Sequence, residues 1–162
     1  FPFPEEEDDD ADEDTVSWSQ AFWRTETLTS LLEMLLGFEI NKDDWRTLLT
    51  GAKARLPEIL ARREAFLRAY QGKRQEYDNL LTYFLYRHFM KALGDDAVQD
   101  KVQLALVSTA VIQLLDVYEW LTKGELTHWA QICICKAYSR EIEYNEDNTE
   151  QLAAFSVLDE ME

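Results

Sequence analysis

The sequence predicts an all-α fold, a single-domain irregular bundle of six or seven helices. Glycine and proline are scarce, with 5 and 3 in 162 residues, and Pro57 is the only proline beyond residue 4. So few breakers favour helices with short connections. Apolar residues make up 46% of the chain, recur three and four positions apart, and show no strand-like alternation. We therefore divide the chain into a leader, residues 1–14, and a helical domain, residues 15–162.

The net charge of −16 is concentrated at the two ends of the chain. Residues 1–14 contain nine acids and residues 143–162 contain seven, and neither segment contains a base. Residues 15–142 hold 16 acids and 16 bases, so the body of the domain is neutral. The leader has the composition of an acidic linker or disordered segment. This distribution argues against nucleic-acid binding, which needs clustered positive charge.

The first two helices follow directly after the leader. Apolar residues recur at helical spacing from residue 17 to residue 36, Thr15 or Ser17 can cap this helix, and Gly37 can end it. The second helix carries a tryptophan and two leucines. Its cap is predicted to be Asn41 or Asp43, because short polar side chains accept hydrogen bonds from the first free N–H groups.

The third and fourth helices differ in how polar they are. Pro57 suits the first turn of the third, where its missing N–H has no partner within the helix anyway, and Gly72 marks the end. The fourth helix, residues 76–93, is rich in leucine and aromatic residues and leaves almost no polar face. Since a helix that is apolar all round is normally buried, we expect it to be the central helix of the bundle.

The remaining helices complete the bundle. A long apolar helix is predicted over residues 97–123, and Gly124 stops it. Thr127 can cap the next helix, and Asn145 begins a turn before a last short helix at about residues 149–158.

Cysteine and histidine give no sign of a metal site in this chain. Cys133 and Cys135 are the only cysteines, and on a helix they point about 200° apart, so they cannot clip one metal ion or form a normal disulfide together. We expect both to lie in or near the core. His88 and His128 lie on different helices. The chain has no signal peptide and no apolar run of the ~20 residues that span a bilayer, which predicts a cytoplasmic protein without a membrane partner.

Seven polar residues form the candidate functional cluster, although no catalytic residue can be identified. Three of them lie four residues apart on the apolar fourth helix, and the others surround Ile142 after a second apolar run. Because an unpaired buried charge is costly, we predict an ion pair between Arg87 and either Glu141 or Glu143. Such a pair either locks two helices in register or lines a ligand cleft. The cluster consists of Asn79, Tyr83, Arg87, Tyr138, Arg140, Glu141 and Glu143.

A basic stretch lies on the third predicted helix and its flanks. It is either an ordinary solvated helix face or a docking face for an acidic partner, including the chain's own acidic leader. The candidate residues of this basic docking face are Arg55, Arg62, Arg63 and Arg68.

Two segments carry a family resemblance. The sequences EYDNLLTYFLYRHF at residues 76–89 and YSREIEYNEDN at residues 138–148 resemble the C-terminal helical region of the bacterial flagellin lysine-N-methylases. That family has an aromatic helix with a similar start and a Ser-Arg-Glu-Ile-Glu-His-Ser-like segment. Tyr144 and Asn145 stand here where that segment has His and Ser. The resemblance covers about the second half of the chain.

The resemblance implies methyl transfer from S-adenosylmethionine to a lysine of a protein such as flagellin. It also implies a cysteine-rich segment that binds a metal or an iron–sulfur cluster, and this chain lacks that segment. We therefore expect a C-terminal domain whose partners are the protein substrate and an upstream cysteine-rich region, and which has no cofactor and no activity of its own. The alternative is a non-catalytic helical module for protein interaction.

Overall fold

The computed structural model describes residues 17–91, 98–155 and 157. These residues form eight α-helices and no strand, which confirms the all-α prediction with slightly more helices than expected. The predicted first helix is divided, because Trp23 leaves the helical conformation between α1 and α2. Residues 1–14, predicted as the leader, lie outside the described residues. The helices are α1 (Trp18–Phe22), α2 (Thr25–Gly37), α3 (Asp43–Ala54), α4 (Leu56–Ala69), α5 (Arg74–Lys91), α6 (Val98–Lys123), α7 (His128–Tyr138) and α8 (Glu146–Ala153).

The central helix of the bundle is α6. It contacts α3, α4, α5, α7 and α8, and its residues 107–117 are all buried. Among the described residues, α6 is also the one helix long and apolar enough to cross a membrane. Because 72% of its most apolar stretch is covered by the other helices, this property is accounted for by its place in the core.

The prediction that the aromatic helix is central was wrong. Only part of α5 faces the core, through Tyr77, Phe84 and His88. Tyr86 and Met90 are 73% and 62% exposed. The tyrosine hydroxyl can remain in solvent, and methionine is a flexible, polarizable side chain. Counting both as core residues therefore overstated the burial of this helix.

Helix ends follow the local rules in most places. Ser17, Thr127 and Asn145 each accept a hydrogen bond from a backbone N–H in the first turn of the helix that follows. Pro57 lies in the first turn of α4, and Gly124 adopts a φ of 83° just after α6. Ser17, Pro57, Gly124 and Thr127 lie where they were predicted, whereas α8 begins directly after Asn145, about three residues earlier than predicted. The exception is the start of α3, where neither predicted residue caps the helix with its side chain.

Candidate functional site

A groove of about 780 Å³ lies between α5 and α7 and is the candidate functional site. Its surface is mostly apolar, and charged side chains lie along its edges. One wall comes from the first half of α5, and the other runs the length of α7 into the turn that follows it. The lining residues are Glu76, Leu80, His128, Gln131, Ile132, Cys135, Lys136, Ser139, Arg140 and Tyr144.

A π-helical turn, Ser139–Glu143, ends the groove. Glu141, Ile142 and Glu143 are all buried, which an ordinary α-helical turn of a surface helix would not allow for three successive residues. The wider turn sends the two carboxylates to different partners. Such π-turns are frequent at functional sites.

Glu143 joins α5 to the π-turn through three contacts. Its carboxylate lies 2.6 Å from Nε of Arg87, and it accepts hydrogen bonds from the hydroxyls of Tyr83 at 2.5 Å and Ser139 at 2.7 Å. The Arg87 N–H does not point along the line to the oxygen, so this contact is an ion pair by distance. Burial and the hydrogen bond to Glu143 raise the pKa of the Tyr83 hydroxyl. The predicted ion pair of Arg87 with one of two glutamates is therefore present.

Glu141 has a different role. Its carboxylate accepts hydrogen bonds from the backbone N–H groups of Asn41 at 2.8 Å and Lys42 at 3.1 Å, at the start of α3. Arg140 donates to Glu141 at 3.0 Å and to Asp44 at 2.7 Å. A glutamate about a hundred residues away thus holds the two backbone N–H groups that directly precede α3, and it fixes the π-turn against the start of that helix.

The seven predicted residues do not form one cluster. Arg87, Tyr83 and Glu143 lie together, whereas Arg140 and Glu141 belong to the contact with α3. Tyr138 is buried, donates to Ser108 at 2.5 Å, and has its pKa raised by burial. Asn79 is exposed and accepts a hydrogen bond from Gln75. Of the seven residues, Arg140 alone lines the groove.

Tyr144 connects the ion pair to the groove. It is 71% exposed, lines the groove, and lies under the guanidinium of Arg87 at 5.1 Å from the ring centre. From the sequence, Tyr144 was identified only as a departure from the family pattern and not as a site residue. The Arg87–Glu143 pair therefore joins α5 to the π-turn. The same guanidinium also packs on the Tyr144 ring and so orients this ring at the end of the groove.

A buried carboxyl behind the groove was missed by the sequence analysis. Asp116 accepts hydrogen bonds from the Tyr77 hydroxyl at 2.6 Å and from Gln131 at 3.4 Å, and Lys73 donates to Gln131 at 3.0 Å. Burial raises the pKa of Asp116 to about 7. Its other oxygen has no hydrogen-bond partner among the described residues. Asp116 is the only acid between residues 101 and 118 of a mostly apolar helix, and this isolated charge was the available signal.

The predicted basic face is partly used inside the fold. Arg63 stacks on Trp23 at 4.0 Å and donates to the buried Gln113 at 2.9 Å, and burial lowers its pKa to about 10. Arg55 is paired with Glu58 at 2.5 Å. Arg62 lies over Trp120 at 5.3 Å, and Arg68 is exposed. The surface cations that remain for a partner are thus Arg62 and Arg68.

The described residues contain no group of three or more His, Cys, Asp or Glu side chains that could hold a metal ion. Cys133 is exposed, which corrects the prediction that both thiols lie in or near the core. Cys135 is half-buried in the groove wall, and burial raises its pKa to about 12. It therefore stays a neutral thiol and acts as an apolar part of that wall.

Comparison with known proteins gives one finding. A family model described as the FliB lysine N-methylase C-terminal domain matches residues 10–160. No curated protein and no solved structure matches the chain.

Proposed function

The chain belongs to the FliB lysine N-methylase C-terminal domain family, and from this premise we propose that it binds the protein whose lysine is methylated. The full protein would transfer a methyl group from S-adenosylmethionine to a lysine of a substrate such as flagellin. In our proposal the present domain forms the wall of the substrate site. The groove between α5 and α7 carries this proposal, since it is a mostly apolar surface of about 780 Å³ with a few charged residues in its lining.

We propose that the groove does not hold the methyl donor. S-adenosylmethionine has an amino-acid head group and a ribose, which bind to polar and charged groups, whereas the surface of the groove is mostly apolar. Of the residues Glu76, Lys136 and Arg140 in its lining, Glu76 and Arg140 already have ion-pair partners, which leaves Lys136. We therefore assign the donor, and the metal or iron–sulfur cluster, to the upstream cysteine-rich region of the longer protein. Our proposal includes no chemical step on the residues of this domain.

The contribution of the domain is to hold the substrate in place. Leu80, Ile132 and Cys135 offer apolar contact to the segment that carries the lysine. Holding the amine close to a donor bound elsewhere removes much of the entropic barrier to transfer. We also propose that the protein works in the bacterial cytoplasm, since both thiols are unpaired.

Methylation kinetics of the full-length protein, with the cysteine-rich region included, test this function. Labelled S-adenosylmethionine and flagellin are the substrates. Ile132→Asp in the groove should raise the KM for flagellin several-fold and leave the KM for the donor unchanged. The matched control is Met90→Asp, an exposed position on α5 that does not line the groove. A raised KM for the donor alone would place the donor in the groove and overturn the assignment.

The isolated domain provides a second test of the same proposal. With labelled S-adenosylmethionine and flagellin it should incorporate no label above background, because the donor is held elsewhere. Robust incorporation would show that the donor site lies within these 162 residues.

A non-catalytic interaction module is the alternative function. Arg62 and Arg68 favour it, because both are exposed and neither is in an ion pair with another described residue. In that case Arg62→Glu with Arg68→Glu should abolish the binding of an acidic partner, and Ile132→Asp should have no effect on methylation.

A further inference from the structure

We propose that the groove takes an amphipathic helix of the substrate protein, with an acidic residue on the flank that faces α7. This inference rests on the proposed function, because it states which kind of segment the same groove binds. Three observations support it: the length of the groove, the nature of its walls, and the distribution of charge along its edges.

The groove is too long for a single lysine side chain. Its lining residues on the second wall run from His128, at the start of α7, to Ser139 in the π-turn. At 1.5 Å per residue this is about 16 Å, or three helical turns. A volume of about 780 Å³ is likewise suited to several side chains of one segment. The occupant is therefore a stretch of chain.

The walls of the groove favour a helix over an extended peptide. Both walls are helices, whose backbone N–H and C=O groups are used within the helix. An extended segment would find no sheet edge here and would leave its own backbone groups unpaired against apolar side chains, which is costly. A helix satisfies its backbone internally and offers one apolar stripe, as amphipathic helices do in other hydrophobic grooves.

The charges along the groove determine which side of the bound helix carries the acidic residue. Lys136 is exposed, lies 5.8 Å from the ring centre of Trp129, and is in no ion pair with another described residue. Arg140 lies beyond it at the end of the same wall but is already paired with Glu141 and Asp44, so Lys136 alone supplies the free charge. On the opposite wall Glu76 is matched by Lys73. The α7 side therefore has an unmatched positive charge, which an acidic residue of the bound helix would neutralise.

Two exposed aromatic residues lie near the ends of the groove. Trp129 is 67% exposed and follows His128, and Tyr144 is 71% exposed at the other end. Exposed aromatic rings beside an apolar groove are typical anchors of a protein interface. Trp129 lies near the start of α7 and Tyr144 directly follows the π-turn, so a helix bound parallel to α7 would pass both rings.

Fluorescence anisotropy with designed peptides tests this inference. The probe is a fluorescein-labelled peptide of about 14 residues, long enough for the groove, with leucines at helical spacing and glutamates on one flank. It should bind at least about tenfold more tightly than the same peptide with lysines in place of the glutamates. Lys136→Glu should remove or reverse this preference. Lys123→Glu, an exposed lysine at the end of α6, should leave it unchanged and serves as the matched control.

Four results would overturn the inference. The first is that a variant peptide with a central proline binds as tightly as the helical peptide, and the second is that Lys136→Glu keeps the preference for glutamates. The other two results are that no peptide shows saturable binding, and that the domain associates with itself and the peptide dissociates this complex. The last would assign the groove to a second copy of the chain.

The two proposals can fail separately. If the acidic peptide binds through Lys136 but Lys136→Glu leaves the methylation of flagellin unchanged in the full-length protein, the proposed function is wrong and the helix site stands. If Lys136→Glu and Ile132→Asp raise the KM for flagellin while no helical peptide binds, the function stands and the helix inference is wrong.

Discussion

Helices α5 and α6 are both rich in apolar residues, yet α6 is the core of the bundle and α5 forms one wall of the groove. Residues 107–117 of α6 are buried without interruption, whereas α5 buries Tyr77, Phe84 and His88 and exposes its other aromatic residues. The difference lies in the kind of apolar side chain. Aliphatic residues dominate α6, and α5 is rich in tyrosine, whose hydroxyl tolerates solvent.

The polar residues of the two helices sharpen the contrast. Ser108, Gln113 and Asp116 of α6 each have a partner on another helix, so the core accepts them. On α5, by contrast, Asn79 is exposed, Glu76 lines the groove, and the half-buried Arg87 is held by Glu143. His88 and the hydroxyl of Tyr77 are the buried exceptions. These exposed apolar side chains of α5 support the proposal that this side of the bundle meets a partner.

The largest expected effect separates the two faces of α5 itself. Phe84→Ala removes a buried ring and should cost about 3–5 kcal/mol in the free energy of unfolding. Tyr86→Ala, at a ring 73% exposed, should cost less than about 1 kcal/mol, because little of this ring is buried. Urea denaturation of both variants measures this. Equal losses would mean that α5 is buried on both faces and does not differ from α6 in burial.

The Arg87–Glu143 pair should be the strongest polar link of α5. Arg87→Met leaves the buried Glu143 carboxylate without its cation and should cost up to about 3–5 kcal/mol. A double-mutant cycle with Glu143→Gln should show coupling, and the same cycle with Glu141→Gln should show none, because Glu141 is bonded to α3 and Arg140. Coupling of Arg87 to Glu141 alone would contradict the assignment of the two carboxylates.

Close packing against α6 can be tested from α3. A Cβ at Gly51 would overlap the phenol ring of Tyr118 on α6. Gly51→Ala should therefore destabilise the fold by about 1–3 kcal/mol, although alanine is the better helix former. Gly37→Ala is the control, since its Cβ would meet open space. Stabilisation of Gly51→Ala, measured by thermal unfolding, would show that the contact of α3 with α6 is looser than described.

The buried acid of α6 should make stability depend on pH. Burial raises the pKa of Asp116 from 3.8 to about 7, so the folded protein binds this proton more tightly than the unfolded chain does. Its contribution is then full below about pH 4 and is lost as the pH rises to about 7, at most about 1.4 kcal/mol per pH unit. Relative to wild type, Asp116→Asn should lose this slope in denaturation series across that range. Parallel profiles would mean that Asp116 titrates normally.

Much of the fold could be predicted from the sequence because helix ends are local. Ser17 and Thr127 bond backbone groups only three residues away, and Gly124 adopts the conformation that ends a helix, so all three were predicted from the local sequence. The identity of the central helix could not be predicted, because it depends on which apolar faces meet. Nor could the contact of Glu141 with the backbone just before α3, because the two segments are about a hundred residues apart in the sequence.

The candidate site was predicted less well for the same reason. The pairing of Arg87 with a glutamate followed from the cost of an isolated buried charge. The groove itself is formed by Leu80 and Ile132, ordinary apolar residues that sequence patterns assign to a core. Their exposure depends on the angle between α5 and α7, which no local pattern specifies.

Hydrogen exchange of the full-length protein, with and without flagellin, distinguishes the core helix α6 from the groove helices α5 and α7. We predict that amides of residues 107–117 in α6 exchange slowest and do not respond to flagellin, while α5 and α7 become protected along the groove. Protection confined to α4, around Arg62 and Arg68, would contradict the account and favour the interaction module. Unchanged exchange throughout the domain would contradict both functions.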